Sequence, residues 1–254
     1  MGYKKELLLL KKNIKNIYKQ TNNFKTNITY KGKQDIVTST DLYVEEQIIK
    51  TIKTEFPTDH FHSEEFNRDT NLQNRTWLID PIDGTSNYAI DMDLFVLQIA
   101  LYDKGDIVLA FIYAPKLKKT YYAIKDYGAY LNGKRYAINN KNSANFMMSL
   151  VGMTHNNNNY YKKLINLAVD NKLKLRMLGS VGLELAFTSE GIFNIFYTNV
   201  TNLWDIYPGI LLLRESGAIL LNEKGKPYNL NDKNLFVCKD LEAKKLLEYN
   251  IFKD

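Results

Sequence analysis

Apolar residues recur every three or four positions near the start of the chain. Leu7, Leu10, Ile14 and Ile17 fall on one stripe, so residues 3–20 predict an amphipathic helix. Residues 41–55 predict a second helix, with Leu42, Glu45, Ile49 and Ile52 near one face. The pattern then changes. Trp77-Leu78-Ile79 is a short apolar run that predicts a buried strand. Phe95–Tyr102, Ile107–Tyr113 and Thr120–Ile124 predict hairpin-like strands in a strand-rich region reaching Tyr130, punctuated by Lys104-Gly105 and Pro115. Thr154–Asn159 is a polar, asparagine-rich loop, and Tyr160–Asn171 is helical. Gly182–Ser189 predicts a helix ended by Gly191, followed by a strand at Asn194–Tyr197. A turn at Trp204-Asp205 leads to a helix through Glu215, and Lys239–Glu248 predicts a closing helix. No internal repeat is present. Mixed helices and strand groups predict a layered α+β architecture.

The length of 254 residues and a hydrophobic fraction of 45% are enough for one α+β unit or two small lobes with a sizeable core. No stretch reaches the roughly eighteen apolar residues of a membrane span, so no membrane partner is expected. Leu7 to Leu10 is too short for a signal-peptide core. Cys238 is the only cysteine, which excludes an intrachain disulfide and a cysteine zinc site and favours a cytoplasmic location. The formal net charge is +6, but the lysines are scattered, with no basic run interleaved with aromatics and no zinc-finger spacing. A nucleic-acid polymer is therefore not expected, while a modest positive field helps to attract a phosphorylated small molecule.

The chemistry concentrates in Asp80-Pro81-Ile82-Asp83-Gly84-Thr85. Pro81 fixes its own φ and biases Asp80 toward an extended backbone. Gly84 permits a conformation or a close approach that a side chain would forbid. The strand is expected to end in a turn that aims two carboxylates and a hydroxyl at one place. Hard divalent cations take oxygen ligands, and Mg²⁺ combines one or two carboxylates with water and substrate phosphate. Alone, the hexapeptide could be a plain surface turn. Glu64-Glu65 upstream and Asp205 downstream add carboxylates from two further segments, as a multi-metal site requires.

These segments resemble the inositol monophosphatase family of Mg²⁺-dependent, Li⁺-sensitive phosphatases. The likeness rests on Trp77 through Tyr88 and on Trp204-Asp205 running to Glu215-Ser216-Gly217-Ala218. Asp35-Ile36-Val37-Thr38-Ser39-Thr40-Asp41, Glu64-Glu65, and Gly179-Ser180 followed by Gly191 support it. The matches run in family order from about residue 31 to about residue 220. The resemblance implies an α-β-α-β-α sandwich with an N-terminal lobe over 1–142 and a C-terminal lobe over 143–254, carrying Asp205 and the substrate wall. It implies hydrolysis of a small phosphate monoester by metal-activated water, without a phosphoenzyme, in a homodimer holding two or three Mg²⁺ ions per site.

By the same resemblance, Glu64, Asp80 and the Ile82 carbonyl hold one ion, and Asp80, Asp83 and Asp205 a second. Asp41 and Thr85 orient and deprotonate the attacking water, with Glu64 also in the catalytic set. Asp41 can instead be a first-turn acidic residue favourable to a helix dipole. Gly84 and Thr85 offer backbone N–H groups to phosphate, and Asp83, Ser180, Thr198 and Asp205 complete the substrate contacts. Lys31 is either a lysine near the metals or a solvated one. Glu65 is expected at the surface, and His60, His62 and His155 receive no role. Relatives that bind inositol well carry a Glu seven residues before the Trp-Asp aspartate, where this chain has Thr198, with Asn199 and Asn202 nearby. Fructose 1,6-bisphosphate, 3′-phosphoadenosine 5′-phosphate, histidinol phosphate and NADP are the alternative substrates. A haloacid-dehalogenase-type phosphatase would place one residue, not two, between its aspartates. A non-catalytic relative would be expected to have lost metal ligands.

Overall fold

Alternation along Trp77-Leu78-Ile79 sets the plan of the molecule. Trp77 and Ile79 pack into one apolar cluster and Leu78 into another, so this strand is buried on both faces. The computed structural model describes residues 2–24, 27–30, 36–68, 71–138, 146–152 and 159–253. In the first part of the chain, α1 (Lys4–Gln20), β1 (Ile28–Tyr30), β2 (Ile36–Thr38) and α2 (Ser39–Glu55) precede β3 (His60–Ser63), β4 (Thr76–Asp83) and the short α3 (Thr85–Ala89). Antiparallel strands follow: β5 (Val96–Asp103), β6 (Asp106–Ala114), β7 (Lys119–Ile124), β8 (Gly128–Leu131) and β9 (Lys134–Tyr136). The remainder runs β10 (Met147–Val151), α4 (Asn159–Asp170), β11 (Lys174–Arg176), α5 (Val181–Ser189), β12 (Ile195–Thr198), α6 (Leu203–Ser216), β13 (Ile219–Leu221), β14 (Leu235–Cys238) and α7 (Leu241–Asn250).

Strands β3 to β9 form a seven-stranded sheet in sequence order, with only β3–β4 parallel. A five-stranded sheet has the order β11-β10-β12-β14-β13. Leu10, Ile14 and Ile17 of α1 and Val44, Ile48 and Ile52 of α2 cover one face of the large sheet, against Trp77, Ile79, Leu97 and Phe111. Helices α5 and α6 are apolar nearly all round, as helices between two layers must be. Leu183, Leu185, Ile206 and Ile210 meet Leu78, Ala100 and Ile112 of the large sheet and Phe196 and Val237 of the small one. Leu164 and Leu167 of α4 and Ala243 and Leu247 of α7 close the outer face of the small sheet, over Leu150, Tyr197 and Phe236. The expected α-β-α-β-α layering is therefore present. Among the described residues no helix is long and apolar enough to cross a membrane.

Three local expectations change. On α2 the buried stripe is Val44, Ile48 and Ile52 at i, i+4 and i+8, whereas Leu42 is 40% exposed. The Trp77–Ile79 strand does not stop at Pro81 but runs on to Asp83. The strands of the small sheet other than β12 were not anticipated, nor was β9; they are three to five residues long, too short to show a period. The expected lobe boundary between residues 142 and 143, most of the Thr154–Asn159 loop, His155, Lys31 and Asp35 lie outside the described residues.

Candidate active site

Strand β4 reaches past Pro81 because it is bulged. Asp80 lies opposite Gln98 of β5 and Asp83 opposite Val96, so β4 carries one extra residue there. Bulges tolerate proline, which has no N–H to give to a ladder. Gly84 follows at φ 93°, where a Cβ would lie 3.1 Å from both the Leu94 carbonyl oxygen and Ser180 Cβ. The sequence Asp-Gly-Thr is thus a strand end, a left-handed pivot and the first residue of α3. Asn87 of α3 anchors the turn by donating to the Leu94 and Leu178 carbonyls at 2.7 Å each.

Asp83 points at the start of α5. Its Oδ1 accepts from Val181 N at 3.0 Å, its Oδ2 from Gly182 N at 2.8 Å, and the Ser180 hydroxyl also donates to Oδ2. Helix N-termini favour an anion in this place. Burial nevertheless pushes the Asp83 carboxyl up to about 6, against the lowering effect of these hydrogen bonds.

Asp80 is furnished differently. It is 1% exposed. Its Oδ2 accepts one hydrogen bond, from Gln98 Nε2 at 3.3 Å, and its Oδ1 is buried without a partner. Burial raises its pKa well above the usual carboxylate range, and the charges of Glu64, Asp83 and Asp205 raise it further. Asp205, in the first turn of α6, is pushed up to about 7 by burial and by the charge of Asp83, with the hydrogen bond from Asn202 acting the other way. Glu64 follows β3, its backbone N–H donating to the Ile79 carbonyl at 3.1 Å. Arg68 lies 3.7 Å from its carboxylate. Strand β3 pairing beside β4, and α6 packing over the sheet, thus bring Glu64 and Asp205 into the electrostatic neighbourhood of Asp80 and Asp83.

Asp41 is both a cap and a site residue. Its Oδ2 accepts from Thr38 N at 2.9 Å and from the Thr38 hydroxyl in a capping box at the start of α2. Its Oδ1 lies 3.3 Å from the Thr85 hydroxyl, which also donates to the Ile82 carbonyl at 2.9 Å. Burial pushes Asp41 up to about 6 despite the Thr38 hydrogen bonds.

Two expected substrate contacts face inward instead. The Ser180 hydroxyl is committed to Asp83 and caps α5, at 1% exposure. Thr198 is fully buried, its hydroxyl accepting from Val200 N at 3.1 Å. Asn199 Oδ1 accepts from the Tyr161 hydroxyl, and Asn202 Nδ2 donates to Asp205 Oδ2 at 3.1 Å. Glu65 is half-buried rather than at the surface. Glu215 clamps the β7–β8 turn by accepting from Asp126 N and Gly128 N at 2.8 and 2.6 Å.

Three buried polar residues around the site have roles that the sequence does not assign. Glu45 accepts from Ser63 Oγ at 2.5 Å, Glu65 N at 2.8 Å and Phe66 N at 2.9 Å, holding the loop that carries Glu64. Glu184 accepts from Leu178 N and Gly179 N at 2.9 and 3.1 Å, and from the Ser149 hydroxyl, fixing the approach to Ser180. Burial pushes Glu184 up to about 7. The third is Gln98. Gln98 and Glu184 are each a lone polar residue among apolar neighbours, and that pattern was the available signal; Glu45 stands beside Glu46 and Gln47 and carries no such mark.

A divalent cation fits this donor set. A buried, unpartnered carboxylate oxygen among three further carboxylates needs a positive partner, and oxygen donors suit a hard ion. Among the described residues no three His, Cys, Asp or Glu side chains stand close enough together, as they lie, to hold a metal ion; Glu64, Asp80, Asp83 and Asp205 are near enough to act on one another through charge.

The inositol monophosphatase family profile matches residues 5–251. The chain is 35% identical over 227 residues to the inositol monophosphatase of Dictyostelium discoideum, covering 86% of this chain and 84% of that one. It is 31% identical over 212 residues to the fructose-1,6-bisphosphatase/inositol-1-monophosphatase of Thermotoga maritima, covering 83% of this chain and 80% of that one. The solved structure of a Thermotoga maritima IMPase superposes with a TM-score of 0.81 at 26% identity, over 97% of this chain and 96% of that one. Fold, carboxylates and relatives together define the class, a phosphoric monoester hydrolase of layered α+β architecture. The chain belongs to the inositol monophosphatase family.

Proposed function

We propose that the protein hydrolyses a small, alcohol-bearing phosphate monoester with two or three Mg²⁺ ions, inositol phosphate being the leading substrate class. The observation that carries this reading is Asp80 Oδ1, buried and unpartnered in the field of Glu64, Asp83 and Asp205. Glu64, Asp80 and the Ile82 carbonyl would hold one ion, and Asp80, Asp83 and Asp205 another. Bound there, the ions offset phosphate charge and favour hydroxide near neutral pH. The chain's own residues do the rest. Asp83 is held in one orientation by Ser180 and the start of α5. The Thr85 hydroxyl, 3.3 Å from Asp41 Oδ1, accepts a proton from the attacking water and passes its own to Asp41. The N–H groups of Gly84 and Thr85 at the start of α3 receive the phosphate oxygens.

The double name of the Thermotoga maritima relative keeps fructose 1,6-bisphosphate as the second reading. Two lobes over 1–142 and 143–254, a homodimer, Li⁺ inhibition and a cytoplasmic setting belong to the same proposal. The test is turnover of inositol 1-phosphate, fructose 1,6-bisphosphate, 3′-phosphoadenosine 5′-phosphate, histidinol phosphate and NADP, with Mg²⁺ and then with excess chelator. Turnover should vanish in chelator and return with Mg²⁺; undiminished activity in chelator would sink the proposal.

A further inference from the structure

We infer that Gln98 is a positioning residue of the metal site and that Gly182 is small in order to leave it room. The inference rests on the metal reading above and extends it to residues outside the ligand set. Gln98 sits directly across the sheet from Asp80 and is fully buried. Its Nε2 donates to Asp80 Oδ2 at 3.3 Å and to the Asp205 backbone carbonyl at 3.1 Å. Both partners are acceptors, which fixes the amide orientation with nitrogen toward them. One carboxamide therefore ties β4 to the first turn of α6 and sets the spacing of two proposed ligands that arrive from different layers.

The surroundings show how much this arrangement costs. Gln98 Oε1 is buried with no hydrogen-bond partner. An unsatisfied buried acceptor is unfavourable. Gly182 lies inside α5 without a positive φ, so conformation does not require glycine there. Gly182 is the second residue of α5, in its first turn. A Cβ at Gly182 would lie 2.4 Å from Gln98 Oε1 and 2.7 Å from its Cδ. An apolar side chain at position 98 would leave no orphaned acceptor there. What the glutamine supplies in return is its pair of N–H donors on Asp80 and Asp205. Hydrogen-bond partners of metal ligands typically contribute about 10–100-fold in metal affinity.

The experiment is calorimetric titration of the folded, chelator-stripped protein with Mg²⁺ alone. Gln98→Met keeps the length and removes both donors; its Mg²⁺ dissociation constant should rise about tenfold. Gly182→Ala leaves Gln98 in place but drives its amide off Asp80, and should weaken Mg²⁺ in the same direction. Its added methyl meets the far end of the Gln98 side chain rather than backbone, so this second variant keeps the test alive if the first does not fold. Wild-type Mg²⁺ affinity in a folded Gln98→Met, or in Gly182→Ala where Gln98→Met is unfolded, would overturn the inference while leaving the metal reading standing. A wild-type protein that binds no Mg²⁺ would overturn the metal reading and this inference with it.

Discussion

Asp80 and Asp83 are three residues apart on one bulged strand, and the protein treats them oppositely. Asp83 has hydrogen bonds on both oxygens, drawn from Ser180 and the start of α5. Asp80 has one long hydrogen bond, an orphaned oxygen and three acidic neighbours. The first carboxylate is held by the chain itself. The second is an unmet demand built into the core, tolerated because something from outside is to meet it. The difference shows that a strand bulge can divide labour between neighbouring ligands: one is a rigid reference, the other a charge reserved for a cation.

The comparison is broken most directly by removing each charge in turn. Asp80→Asn and Asp83→Asn should each lower kcat by about a hundredfold or more, since outer-shell losses alone reach that scale. Their stabilities without Mg²⁺ should move in opposite directions. Asp80→Asn relieves a buried, repelled carboxylate and should raise Tm. Asp83→Asn turns an amide toward three donors and weakens charge-assisted bonds worth about 1.5–3 kcal/mol each, and should lower Tm. Thermal unfolding in chelator checks this, and a fall in Tm for both variants would end the distinction.

The contrast also has a pH signature. Asp41 and Asp83 are raised to about 6 and Asp205 and Glu184 to about 7, with Asp80 raised as well. Unfolded carboxylates titrate near about 4. Between these values the folded state binds more protons than the unfolded state, so stability falls as pH rises from about 4 to about 7. Without Mg²⁺, Tm should therefore be lower at about pH 8 than at about pH 5, opposite to ordinary acid denaturation. Saturating Mg²⁺ at about pH 8 should restore the loss, because a ligand of the folded state stabilises it. Scanning calorimetry at the two pH values reads both effects, and an unchanged pH trend in Mg²⁺ would contradict a cation among these carboxylates.

Much of this was legible before any coordinates. Asp80, Asp83, Glu64 and Asp205 stand out because carboxylates beside apolar runs and turn residues are locally conspicuous, and the helices carry their own period. The supporting residues were not legible in the same way. Glu45 was placed on a helix face by period alone, and its carboxylate proved to grip a loop 20 residues away. Gln98 and Glu184 interrupt apolar runs, but their partners lie on other elements. Ser180 and Thr198 were expected to face substrate because they occupy matching places in the family. Only packing reveals that one hydroxyl turns to Asp83 and the other to a backbone N–H.

Thr198 gives the smallest and sharpest effect, because it separates an inward-facing residue from the open side of the site. A carboxylate in its place would accept sugar hydroxyls with about 1.5–3 kcal/mol, against about 1 for a neutral acceptor. The lack of a carboxylate at 198 predicts roughly a tenfold weaker preference for inositol phosphate over other monoesters than in relatives that carry one, the factor that about 1.4 kcal/mol implies. Introducing Glu at 198 would place a charge in a fully buried position, so that substitution would test folding as much as recognition. Thr198→Val is the cleaner probe. It keeps the shape, removes the acceptor from Val200 N, and should cost about 1–3 kcal/mol of stability. Because the hydroxyl is already spent inside the protein, the ratio of kcat/KM for inositol 1-phosphate to that for a simple aryl phosphate should stay the same. A changed ratio with unchanged Tm would mean that Thr198 touches substrate after all, and that the wall of the pocket moves to expose it during turnover.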